Sequence, residues 1–233
     1  MTQINIDEFH KIFLESKMTI KEAKAITGGG IKKGNTKMPF YTYGISAWRC
    51  LTGSKLAKVA GSVCSGCYAM KANYLMFKNV REAFIKRADS LDHPDWTLAM
   101  CVMIGRWSSD KAFRWHDTGD LQSLQHLLNI IKIAMVFPKI PFWLPTRELE
   151  IIRKADALVQ SGDLVIPDNL TVRISSHFVG RKPWKNIPSW CNTSTVSWKD
   201  APNVCPAPKQ EGSCGDCRNC WTKSVKNVDY ILH

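Results

Sequence analysis

Seven of the nine cysteines fall into two spaced groups, and the spacing is that of metal ligands. The denser group is Cys205, Cys214, Cys217 and Cys220, written VCPAPKQEGSCGDCRNCW. Two successive C-x-x-C steps let the backbone turn and point three sulfurs at one centre, and Cys205 supplies a fourth. Gly212, Gly215, Pro206 and Pro208 provide tight turns around them. A four-thiolate shell suits tetrahedral zinc or an iron–sulfur cluster, and the unbroken C-x-x-C-x-x-C run favours iron–sulfur. The second group is Cys64-Ser65-Gly66-Cys67-Tyr68-Ala69, with Cys50 fourteen positions earlier. Three thiolates can hold a 4Fe–4S cluster and leave one iron open, which is a catalytic feature. A buried thiol pair or a redox dithiol is the competing reading of this group. Cys101 lies in the apolar run Leu98–Ile104 and reads as core, and the role of Cys191 stays open.

Three polar segments are expected to close strands and to face the same site. Arg114-Trp115-His116-Asp117-Thr118-Gly119-Asp120 ends an apolar run, as do Pro145-Thr146-Arg147 and Ser175-Ser176-His177. In a βα-barrel that edge gathers catalytic groups. His116 and His177 are candidates for proton transfer, Asp117 and Asp120 for orienting a histidine, and Arg147 for pairing with a carboxylate or phosphate. Each also has a purely structural reading, and for Asp120 that reading is a helix cap.

The elements that must carry these residues alternate between two periodicities. Strand-like runs are predicted at Pro39–Ala47, Phe113–His116, Ile140–Leu144, Leu170–Ser175, Thr193–Trp198 and Val228–Leu232. Helical patterns lie between them: Asn73–Leu91, a segment from Pro94 to Gly105, one from Leu121 through Met135 capped by Asp120, and one from Thr146 through Val159 that Gly162 ends. The predicted class is α/β, a single-domain partial (β/α) barrel, TIM-barrel-like, with a cysteine-rich tail. Residues 1–38 read as an N-terminal extension, 39–199 as the barrel core and 200–233 as the metal-binding tail. Gly28-Gly29-Gly30 before Lys32 and Lys33 lacks the phosphate-loop spacing and reads as a flexible basic loop.

Composition bounds the rest. The chain has 233 residues, 45% of them hydrophobic and 22% charged, which fits one folded unit and excludes a disordered tail or a coiled coil. No run reaches the ~18 apolar residues of a membrane span, so no membrane partner is expected. With no export signal visible, a cytoplasmic protein is expected, in which clustered cysteines mean metal or catalysis rather than disulfides. The net charge of +12 sits mostly in the first 60 and last 63 residues. That charge offsets thiolates or attracts nucleic acid. Trp184 and Trp190, beside Arg181, Lys182 and Lys185, are the base-stacking candidates, whereas Trp96, Trp107, Trp143 and Trp198 read as core.

Taken in order, Cys50, Cys64-x-x-Cys67-Tyr68-Ala69, His116-Asp117-x-Gly119-Asp120 and the Cys205–Cys220 tail ending in Trp221 resemble the gene product 88 family of small phage proteins, from about Tyr41 onward. The resemblance implies a phage-encoded protein of the host cytoplasm, with an incomplete βα-barrel and iron–sulfur chemistry. The chain is also distantly similar to radical SAM enzymes, which carry a C-x-x-C-aromatic segment after the first strand; that likeness makes Tyr68 a cofactor contact. It departs from their C-x-x-x-C-x-x-C pattern at Ala60 and lacks their Gly-Gly-Glu-type segment, so S-adenosylmethionine binding does not carry over. The expected function is a redox or lyase/radical-type iron–sulfur enzyme with one or two clusters, a small-molecule substrate and an electron donor. The alternative is a zinc-stapled nucleic-acid-binding protein without catalytic activity.

Overall fold

The computed structural model describes residues 5–33, 38, 40–71, 76–107, 112–198 and 204–232. Six strands form one sheet: β1 (Tyr41–Tyr43), β2 (Phe113–Trp115), β3 (Phe142–Thr146), β4 (Leu170–Ser175), β5 (Cys191–Ser197) and β6 (Asn227–Ile231). Their spatial order is their chain order, and every neighbouring pair is parallel. β1 and β6 are the sheet edges, so the sheet is not closed. Parallel strands in sequential order need crossovers of one hand, and right-handed crossovers place the connecting helices on one face.

Seven helices are described: α1 (Ile6–Glu15), α2 (Ile20–Ile26), α3 (Leu51–Leu56), α4 (Lys78–Asp89), α5 (Trp96–Trp107), α6 (Leu124–Val136) and α7 (Leu149–Gln160). Strand alternation sends Tyr43, Phe113, Trp115, Phe142, Leu144, Leu170, Val172 and Ile174 into a large core with the apolar faces of α5, α6 and α7. Cys101 and Cys191 are buried in that core. The alternate strand residues face the other way. There Trp143 joins Met38, Ala112 and Trp221 in a second, smaller core, against which Cys214, Cys220 and Tyr230 pack.

The six predicted strands and four predicted helices are present, with shifted ends. β1 ends at Tyr43, short of the predicted Pro39–Ala47, and residue 39 of that run and residues 73–75 of the predicted 73–91 helix lie outside the described residues. The 1–38 segment, expected as an extension, contributes α1 and α2. α2 carries a Thr19–Glu22 capping box, and Ala23 is fully buried in the main core. Gly28, expected in a flexible loop, has φ +65° and packs its backbone so closely on Lys86 and Arg87 of α4 that a Cβ would collide there. Trp198, expected in the core, is 67% exposed at the end of β5.

Candidate metal centre

Cys50, Cys64 and Cys67 lie on the segment that follows β1. Cys50 precedes α3 directly, and Glu148 at the end of β3 fixes that helix start: its carboxylate accepts from the Thr52 amide at 2.9 Å and the Thr52 hydroxyl at 2.6 Å. The Cys64 turn is strapped to the loop after β4, where Val63 N–H donates to the His177 carbonyl and Val179 N–H to the Gly61 carbonyl. Ser62 caps the turn by accepting from the Ser65 amide. Gly53 gives the two parts room to meet. A Cβ there would stand 3.5 Å from the Cys64 sulfur and 3.6 Å from the Cys50 sulfur. The strand ends of β3 and β4 thus hold two thiols across the gap that Gly53 leaves open.

The electrostatics record the same grouping. Burial pushes the Cys50 thiol far up, and Asp120, Cys67, Cys64 and Glu148 push it further. Burial also raises Cys64, while the Arg147 guanidinium pulls it back down and Cys67 opposes that pull. A bound cation reverses this preference for the neutral thiol. All nine cysteines are free. In kind, three reduced thiols with a neighbouring cation suit a cluster; as placed, no three of the described His, Cys, Asp and Glu side chains form a metal-ion ligand set. The backbone framework converges, while the sulfurs do not make a closed shell.

The tail cysteines occupy the sheet face opposite the helices and form a separate group. Cys205 sits beside β6, its N–H donating to the Asp229 carbonyl, and Cys217 N–H donates to the Cys214 carbonyl. Cys220 Sγ is 3.2 Å from the Tyr230 hydroxyl. Burial raises Cys205, Cys214 and Cys220, the last to about 11, and each feels the charge of at least one other tail thiol. Arg173 docks the segment. It is fully buried and donates from Nε to the Cys220 carbonyl, from Nη2 to those of Asn219 and Thr222, and from Nη1 to that of Thr193. Trp221 completes the docking, its indole N–H donating to the Phe113 carbonyl and its own carbonyl accepting from the Thr171 hydroxyl.

The strand-end residues take different places. Asp120 is buried and accepts three bonds, from the Leu121 amide, the Thr146 hydroxyl and the Arg147 amide. Burial nonetheless raises its carboxyl to about 6. It does not cap α6; Ser123 does, accepting from the His126 amide. Asp120 instead ties the end of β2 to the end of β3, and so to Glu148. Thr146 does not sit at the N-cap of α7, which falls on Glu148. Asp117 packs beside Gly44, and its carbonyl accepts from the Tyr68 hydroxyl. Tyr68 therefore joins the cysteine segment to the β2 turn.

His116 has φ +54°, which turns its ring away from the cysteines and into the main core beside His126, ring centres 5.2 Å apart. Arg147 and His177 stay half-buried at the sheet edge: Arg147 Nε donates to the Ser176 carbonyl, and His177 Nε2 lies 3.3 Å from the Arg147 carbonyl. Trp184 packs edge-on against His177 at 5.0 Å and donates its N–H to the Ser175 carbonyl, while Trp190 donates to Asp156. The structure thus groups Cys50, Cys64, Cys67, Asp120, Arg147 and His177 near one sheet edge, sets the tail cysteines apart from them, and removes His116 to the far side. Sequence reasoning passed over Glu148, Arg173 and Tyr230. A buried-charge role for Glu148 had one visible signal, its place directly after Thr146-Arg147.

No helix among the described residues is long and apolar enough to cross a membrane. No curated protein and no solved structure matches the chain. A family model described as Gene product 88 matches residues 15–223, a span that takes in α2, all of β1 to β5 and both cysteine groups. The chain therefore belongs to the Gene product 88 family of phage proteins.

Proposed function

We propose that the protein is an iron–sulfur enzyme in which Cys50, Cys64 and Cys67 hold a 4Fe–4S cluster at the strand C-terminal edge of a partial, TIM-barrel-like βα-barrel. When bound, such a cluster supplies an open iron that coordinates a substrate and exchanges one electron with it. The observation that supports this reading is the anchoring of the three-thiol segment: Glu148 holds the Cys50 turn, the His177–Val179 loop holds the Cys64 turn, and Gly53 leaves the space between them. The helices on one sheet face and the sequential parallel order support the barrel geometry.

The surrounding residues then have separable tasks. Arg147, whose charge already acts on Cys64, offsets the negative charge of ionised thiols and orients an anionic group of the substrate. His177, half-buried with its other ring nitrogen free of any hydrogen bond recorded among the described residues, moves a proton at the substrate side. Asp120 positions Arg147 through the backbone amide rather than touching substrate. The tail cysteines hold a second centre on the opposite sheet face.

The test is anaerobic purification of Cys67→Ser and Cys101→Ser proteins, with iron and acid-labile sulfide measured on both. Cys67→Ser is expected to lose the open-iron cluster while Cys101→Ser, altered only in the core, keeps it. A full complement of iron and sulfide without Cys67 overturns the assignment. The zinc-stapled nucleic-acid reading rests on the +12 charge and on Trp184 and Trp190 beside basic residues. Its signature is steeply salt-dependent retardation of DNA or RNA by a colourless, zinc-bearing protein.

A further inference from the structure

The fold brings the most basic parts of the chain together. Residues 23–81 contain ten Lys and Arg and no Asp or Glu, and residues 169–199 contain five and again no acid. These two acid-free stretches join at the strand C-terminal edge. Val63 N–H donates to the His177 carbonyl at 2.9 Å, Val179 N–H donates to the Gly61 carbonyl at 3.2 Å, and Ser62 pairs antiparallel with Phe178 between them. Lys55 and Lys58 precede that seam and Arg181, Lys182 and Lys185 follow it, all five exposed. Among the described residues none of the five has a carboxylate within salt-bridge reach. The strand-end carboxylates Asp120 and Glu148 are buried and accept bonds within the fold.

Two indoles stand on the same loop and strand end. Trp184 is 36% exposed and held in place by its N–H bond to the Ser175 carbonyl and its edge-on contact with His177. Trp198, the first residue after β5, is 67% exposed and lies against Gly180, where a Cβ would stand 3.5 Å from the indole nitrogen. Gly180 N–H donates to the Val196 carbonyl at 2.7 Å, which fixes the basic loop to the strand that carries Trp198. Neither burial nor ion pairing among the described residues accounts for Trp198 or for the five cations. A cationic rim attracts any polyanion, but exposed indole faces select one whose charges alternate with flat aromatic groups. A single strand of nucleic acid has that chemistry, and a duplex hides its base faces in its own stack.

We propose that this edge binds single-stranded nucleic acid, with phosphates on the five cations and bases on the two indoles, and that a nucleotide of the bound strand is the substrate class of the Cys50, Cys64 and Cys67 site. The second half rests on the reading of that site as an iron–sulfur enzyme; the first half does not. The seam that positions the strand is the one that anchors the Cys64 turn, so a bound nucleotide reaches Arg147 and His177 without any rearrangement of the sheet.

The experiment titrates the full chain, purified without oxygen, into fluorescein-labelled oligo(dT), oligo(U) of the same length and a duplex, read by anisotropy over a salt series. At least one strand is expected to bind roughly tenfold or more tightly than the duplex, and the tighter strand identifies the source as DNA or RNA. Trp198→Ala is expected to weaken strand binding roughly tenfold, with Trp198→Phe recovering most of it. Lys182→Ala combined with Lys185→Ala should lower the slope of log affinity against log salt by roughly 0.7 per charge removed. Arg153→Ala, exposed on α7, should match the parent. Equal binding of strand and duplex, which needs no variant to read, overturns the proposal, as does full strand affinity in Trp198→Ala. Iron and acid-labile sulfide are assayed on the same sample. An iron–sulfur protein that binds neither strand at low salt overturns this proposal alone, whereas a strand-binding protein free of iron and sulfide overturns the enzymatic reading and the substrate assignment and leaves the binding site standing.

Discussion

Burying one imidazole against another denies both a proton. No ring nitrogen of His116 or His126 has a hydrogen-bond partner among the described residues; burial holds His126 down to about 3 and His116 well below its ordinary value, the His126 ring and Arg114 adding repulsion at His116. The unfolded chain protonates these histidines near pH 6.5 and the folded one resists, so the stability they permit is complete above that pH and is lost as pH falls towards the folded values. Thermal or denaturant unfolding of wild type should lose roughly 2–3 kcal/mol between pH 6.5 and 4.5 through His126 alone, and His126→Phe should flatten that slope. Asp120 works with the opposite sign. Its carboxyl is raised to about 6 by burial, so its folded form keeps the proton longer than the unfolded chain and its contribution declines as pH rises from about 4 through 6. Asp120→Asn removes this opposing slope and should steepen the acid-side loss, read from the same pH series. The His116–Asp120 turn was legible as a special segment, because polar residues crowd the end of an apolar strand. Its division of labour was not: a single residue at φ +54° sends His116 to the helical side, and sequence spacing carries no such sign.

At the scale of elements, the cysteine segment has, among the described residues, no sheet pairing beyond one bridge and borrows its position from β3 and β4. Glu148→Ala leaves the half-buried Thr52 amide and hydroxyl without that acceptor and should cost roughly 1–3 kcal/mol in denaturant unfolding, with easier alkylation of Cys50. Glu148→Gln, which keeps one carbonyl oxygen, should recover part of both. The tail depends on Arg173 in the same manner. Arg173→Met should expose the 205–222 loop to limited proteolysis while the helical core resists, a pattern visible by mass spectrometry of the fragments. Periodicity revealed the strands and the long helices because each buries a stripe of fixed period, as in Phe142–Thr146 or Leu124–Val136. α1, α2 and α3 escaped because they are short or follow no Gly or Pro punctuation, although Thr19-x-x-Glu22 is a capping box in plain view. Glu148 and Arg173 escaped because a charged residue at a strand end or inside a strand gives no hint of which distant carbonyls or amides it will meet.

Across the whole molecule, one sheet separates two chemistries. The helical face holds the main core with Cys101 and Cys191, and the strand C-terminal edge holds Cys50, Cys64 and Cys67 with Arg147 and His177. The opposite face holds the tail against Trp143, Trp221 and the buried Arg173. Cysteine spacing alone disclosed both groups, but only the structure shows that one is held at the strand C-terminal ends of β3 and β4 and the other packs on the sheet face against Trp143 and Trp221. The most direct test is to purify the wild-type protein without oxygen and assay iron, acid-labile sulfide and zinc on one sample with its visible spectrum. A brown protein with matched iron and sulfide, in an amount that drops but does not vanish in Cys67→Ser, is the predicted result. A colourless protein free of iron and sulfide contradicts the account.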